Sequence, residues 1–167
     1  MTSNHAQRKV PAGALIVSTL VCFACSETQH STGVENPVPV IAAALIVSDS
    51  APPVGGSVVV SVRAIGEQTT VASYTARITY DATGLKYDAE IPLEDDALRA
   101  SNSVPGLLRF AGAASAGFTN AQLAAYRFSV LKANSVRTLS LSVDEIHTVT
   151  RLDAKPRLSV RQLRISR

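Results

Sequence analysis

Two absences set the terms for this 167-residue chain: it has no tryptophan, and neither of its two cysteines lies beyond residue 25. Everything after Cys25 therefore lacks an internal disulfide, a thiol nucleophile and any cysteine-bearing metal site. Aromatic residues make up only 5% of the chain, too few for a broad platform of stacked rings of the kind that grips a sugar. Histidine is scarce too. After His5, only His30 and His147 remain, so no set of nucleophile, base and stabiliser converges by spacing, and no enzyme is expected. Charged residues are 17% of the total and the net charge is +3, but the charge is uneven. Residues 25 to 150 carry 8 basic and 12 acidic groups, while residues 151 to 167 carry 6 basic and 1 acidic. The basic residues are not interleaved with aromatics, which argues against nucleic acid as a partner.

No long hydrophobic run is present either. The apolar stretch from Ala12 to Ala24 has 13 residues, whereas a transmembrane helix needs about 20. With Arg8 and Lys9 before it and small residues after it, the stretch reads as a cleavable export signal over residues 1–24. Cys25 follows Ala24 at the point where a bacterial lipoprotein signal places its acylated cysteine, so Cys25 is a candidate lipid-attachment site. Ordinary cleavage after Ala24 is the alternative. Both readings put the mature chain outside the inner membrane, in the periplasm or at the cell surface. Residues 25–38 are polar, with Gly33 and Pro37, and read as a tether.

From residue 39 onward, apolar and polar residues alternate over short stretches separated by glycine and proline, the pattern of half-buried strands in a sandwich. Val58, Val60 and Val62 share one face. Tyr74, Ala76, Ile78 and Tyr80 point inward while Ser73, Thr75, Arg77 and Thr79 point outward, because side chains alternate along a strand. Leu108 with Phe110, then Tyr126, Phe128 and Val130, then Leu139, Leu141 and Val143 continue the pattern. A helical turn is expected only between Leu93 and Ala100. Near the C-terminus, Leu158 and Val160 alternate with Arg157, Ser159 and Arg161, and the alternation resumes out of phase at Leu163 and Ile165. That predicts a final edge strand with a bulge at Gln162.

Three segments in this order resemble the cohesin family, whose modules hold dockerin-bearing enzymes on cellulosome scaffolds. They are VGGSVVVSVRA, then VASYTARITYDATGLKY with Tyr80, Asp81 and Leu85, then the stretch from GLLRF to LSVDEI ending at Val143, Asp144 and Glu145. The resemblance implies a nine-stranded jelly-roll β-sandwich over residues 39–167. It also implies a non-catalytic module that binds a dockerin or similar protein through one sheet face. Carried over by position, the recognition strand falls on Ser73 and Thr75, with Arg77 next on the same face.

Two other readings stay open. Direct carbohydrate binding would use Tyr87 and Phe118, the rings left as candidates for exposure; a core plug at the end of the sandwich is the alternative for Phe118 in its AGFTN loop. A structural role in an envelope or secretion assembly, with a neighbouring envelope component as partner, needs no particular site. A calcium site could draw on Glu94, Asp95 and Asp96 with Asp88 and Glu90 nearby, but the spaced ligands and turn glycine of a dedicated loop are missing. No cofactor is expected.

Overall fold

The computed structural model describes residues 41–66, 70–118 and 122–165; the signal, the tether and Cys25 lie outside the described residues. Within them nine strands run in chain order: β1 (Ile41–Val47), β2 (Ser57–Gly66), β3 (Val71–Thr79), β4 (Leu85–Glu90), β5 (Leu98–Val104), β6 (Leu107–Ala113), β7 (Gln122–Val130), β8 (Ser140–Thr148) and β9 (Leu158–Ile165). They form a jelly-roll sandwich of a five-stranded sheet, ordered β4-β7-β2-β1-β9, against a four-stranded sheet, ordered β5-β6-β3-β8.

The alternation expected from the sequence places the core. Val58, Val60, Val62, Tyr74, Ala76, Ile78, Leu108, Phe110, Tyr126, Phe128 and Val130 are all buried in one cluster. Rings meet between the layers in edge-on geometry: Phe110 on β6 lies 5.3 Å from Tyr126 on β7, and Tyr80 lies 5.1 Å from Phe128. Such pairs add to simple area burial. β1 differs, because its run IAAALIV is apolar on both faces. It sits between β2 and β9, antiparallel to one and parallel to the other.

The turn from Tyr80 to Leu85, part of the cohesin resemblance, packs against Ser135 and Thr138 at one end of the sandwich. Asp81 Oδ1 accepts hydrogen bonds from the Thr83 N–H and hydroxyl, and the Asp81 N–H donates to Thr138 Oγ1. Gly84 approaches Ser135 so closely that a Cβ there would lie 2.6 Å from the serine Cβ. The expected C-terminal strand is present at the sheet edge. It carries two residues against one between Arg161 and Arg164, where β1 advances from Ala44 to Ile46, which is the bulge expected around Gln162. Val160, expected inward, is 37% exposed.

The helical turn expected over Leu93–Ala100 is not there. Asp95 accepts from the Ala97 N–H, and from Leu98 onward the chain pairs with β6 through the two-residue turn at Pro105 and Gly106. Cross-strand pairing overrides local composition here.

Burial of two core tyrosines has a measurable consequence. Desolvation holds the hydroxyls of Tyr74 and Tyr126 protonated well above the ordinary tyrosine range. The unfolded chain ionises near pH 10 while the folded one does not, so stability is full below that pH and falls as pH rises above it. Between pH 9 and 11 each tyrosine costs about 1.4 kcal/mol of stability, most of it above pH 10. Urea denaturation between pH 9 and 11 therefore shows a steep loss, and Tyr74→Phe lowers the slope. An equal slope in that variant would contradict the burial.

Candidate functional site

The outward face of the four-stranded sheet is organised by its register. Reading across β8, β3, β6 and β5, one row is His147, Ser73, Ala113 and Leu98, and the next is Glu145, Thr75, Ala111 and Ala100. Small side chains in the middle of both rows leave a groove of about 370 Å³ running across the strands. Leu98 walls its β5 end and Glu145 with His147 its β8 end. The third row brings Arg77 opposite Arg109, with Asn102 beyond.

A bulge in β8 supplies the acidic end. Thr75 pairs with Glu145 and Ala76 with Val143, so Asp144 and Glu145 both turn away from the core. Asp144 Oδ1 meets Arg77 Nη2 at 3.2 Å, an exposed ion pair of small energetic weight that offsets one of the two facing arginines. Arg109 makes no ion pair among the described residues. The face is thus a neutral, small-residue trench with a carboxylate at one end and a cation beside it.

What fixes the β5 wall lies underneath. Arg99 points inward and forms a two-pronged ion pair with Asp95, at 2.7 Å for Nη2 to Oδ2, while its Nε donates to the Leu123 carbonyl of β7 at 2.7 Å. Its guanidinium stands 5.3 Å from the centre of the Phe118 ring. Tyr74 donates to the same Leu123 carbonyl at 2.8 Å. Its ring passes beneath β6 because Gly112 has no Cβ; one placed there would lie 2.7 Å from the ring. The Arg99 hydrogen bonds hold the Asp95 carboxyl below the usual carboxylate range, and the same pairing raises the Arg99 pKa. Arg99→Ala leaves Asp95 without its partner and frees the groove wall. We expect a loss of about 2 kcal/mol in urea denaturation, with faster amide exchange at Leu98 and Ala100. Stability unchanged by the substitution would show that the clamp does not hold β5. Gly112→Ala displaces the Tyr74 ring and lowers stability by about 1–3 kcal/mol through overpacking.

The structure brings together Ser73 and Thr75, both in the groove, with Arg77 one row away on the same face. It corrects the two rings left as candidates for exposure. Phe118 is 5% exposed and packs 5.1 Å from Tyr74, filling the end of the core. Tyr87 is half-buried and leans on Phe128 at 5.8 Å and Tyr126 at 6.1 Å. The two do not share a face for a sugar. The acidic residues also separate: Asp95 is taken by Arg99, Asp88 accepts from Ser129, and Glu90 accepts from Ser101. No group of three metal-ligating side chains gathers among the described residues.

Leu98, Ala100, Ala111, Ala113, Glu145 and His147 were not legible as site residues. The signal was present for β6, where Ala111 and Ala113 alternate outward from buried Phe110, but β5 carries no apolar alternation to reveal it.

This architecture is the cohesin fold. Similar solved structures include a type II cohesin domain from the cellulosome of Acetivibrio cellulolyticus, at 18% identity and a TM-score of 0.58, covering 74% of this chain and 93% of that one. A non-cellulosomal cohesin from the hyperthermophilic archaeon Archaeoglobus fulgidus matches at 18% identity and a TM-score of 0.55, covering 75% and 91%. The sixth cohesin of scaffoldin B from Acetivibrio cellulolyticus, solved in complex with a Cel5 dockerin mutant, matches at 16% identity and a TM-score of 0.55, covering 75% and 98%. No protein-family model and no curated protein matches the sequence.

Proposed function

We propose that this chain is a non-catalytic, exported binding module that engages a dockerin-type protein through the outward face of the β5-β6-β3-β8 sheet. The observation that carries the reading is the groove itself: a rigid face whose central residues Ser73, Thr75, Ala111 and Ala113 are small enough for a partner's backbone or helix to approach closely. Its unlike ends, the Glu145 carboxylate on β8 and the apolar Leu98 on β5, suit a partner held in one orientation. A cohesin of this fold has been solved with a dockerin bound, which supports the same class of partner here.

Export belongs to the same reading and rests on the order of basic, apolar and small residues over positions 1–24. Mass spectrometry of the mature N-terminus is expected to begin at Cys25, with a diacylglyceryl mass if the cysteine is lipidated; a chain retaining residues 1–24 in the cytosol would overturn export.

The partner class is tested by calorimetric titration with purified dockerin modules from the producing organism. The expected result is saturable one-to-one binding at micromolar or lower concentration. Absence of heat with every dockerin, together with retention on insoluble polysaccharide, would replace this reading with direct sugar binding.

A further inference from the structure

Among the described residues, three of the four sheet edges carry features that hinder pairing with another chain. On β8 the segment after the strand folds back over its C-terminal end, where the Thr148 N–H donates to the Leu152 carbonyl and the Ala154 N–H to the Ile146 carbonyl, and the strand carries Asp144, Glu145 and a bulge. β4 carries Lys86 and Asp88 and breaks register between Tyr87 and Ala89. β9 carries exposed Arg161 and a bulge. Charges and bulges of this kind blunt edges.

β5 has neither. Its register with β6 is unbroken over all seven residues from Leu98 to Val104. The single charged side chain on it, Arg99, is turned inward and held by Asp95. The two-residue turn at Pro105 and Gly106 makes Val104 and Leu107 a hydrogen-bonded pair, so residues 98, 100, 102 and 104 bond to β6. The backbone groups of Arg99, Ser101 and Ser103 consequently face the open edge. On the outward side the strand presents Leu98, 76% exposed, and Val104, 55% exposed, at opposite ends.

We propose that two copies of this chain associate through their β5 edges, antiparallel and centred on Ser101, into one continuous eight-stranded sheet. The strand is complementary to itself about that residue. In this register Arg99 and Ser103 exchange bonds with the partner's Ser103 and Arg99, and the two Ser101 residues pair on the dyad, giving about six new backbone hydrogen bonds. Leu98 then lies opposite the second copy's Val104, and Ala100 opposite its Asn102, in non-hydrogen-bonded pairs where side chains approach most closely. Registers shifted by two residues leave both large apolar side chains unmatched. No like charge meets its symmetry mate on the outward face. On the inner side, Glu90, which accepts from Ser101 Oγ at 2.8 Å, approaches its own mate and keeps the association weak. The contact is isologous, so it closes at two copies. It sets two grooves side by side on one surface, and it stands whether or not the groove binds a dockerin.

The test is sedimentation equilibrium of the full chain from about 10 to about 500 µM, a range suited to a small edge interface. Wild type is expected to pass from monomer to dimer, with amide protection at Arg99, Ser101 and Ser103 rising with concentration. Ser101→Pro removes a donor that faces only the open edge and weakens association at least tenfold while the melting temperature of the monomer holds. Val104→Lys, which places a charge against Leu98 of the second copy, does the same. A chain that stays monomeric throughout, or a dimer indifferent to both substitutions, overturns the proposal.

Discussion

Ala111→Glu abolishes partner capture while leaving the fold intact. Ala111 sits in the middle of the groove, between Thr75 on β3 and Ala100 on β5, with its side chain directed outward. A glutamate there fills the trench, and its carboxylate lies beside Arg109 two positions back on the same face, so the substitution introduces no buried charge. Surface changes of this kind shift stability by about 0.5 kcal/mol or less. On the proposed reading binding is different, because a partner ridge could no longer reach the floor at the centre of the contact, where most interface energy resides. We expect dockerin affinity to fall by about a hundredfold or more, read by calorimetry beside an unchanged thermal transition. Wild-type affinity in this variant would place the contact on another face. Arg109→Ala, at the rim, is expected to alter the salt dependence and the association rate more than the affinity.

Deleting residues 158–167 unfolds the domain. β9 supplies six register pairs to β1, and on its other side β1 has only β2. Without β9, the apolar strand IAAALIV becomes an open edge with unpaired backbone. At about 1 kcal/mol for each lost ladder bond, before lost apolar burial is counted, the deletion consumes most of a net stability of about 5–15 kcal/mol. Circular dichroism of the truncated chain should show no cooperative melt. A transition at the wild-type temperature would show that the basic C-terminal segment is dispensable.

Arg157, Arg161 and Arg164 look, by composition, like part of a disordered basic tail. Period-two alternation through Leu158 and Val160, with its phase change near Gln162, was enough to read a strand instead. Alternation also exposed β2, β3, β6 and β7, where a buried face must repeat every second residue. It failed where that condition lapses. In β5, LRASNSV, the inward side chain Arg99 is charged and Ser101 and Ser103 are exposed. The strand exists because a two-residue turn lays it against β6, not because it covers a core. Phe118 was ambiguous for a different reason. Alternation gives no direction to a side chain outside a strand, so exposure and a core plug both stayed open, and the tertiary structure decides for the plug against Tyr74 and Arg99.

By itself the sequence determined the sandwich, the identity of most core residues and the outward direction of Ser73, Thr75 and Arg77, since each follows from alternation within one strand. It also determined two things the chain lacks: a cysteine beyond residue 25 and a tryptophan. Only the tertiary structure decided which outward residues become neighbours. The groove exists because β5, β6, β3 and β8, drawn from positions 71 to 148 and out of chain order, align Ala100, Ala111, Thr75 and Glu145 in one row. No local pattern encodes that row, because its members are linked by register between strands rather than by spacing along the chain.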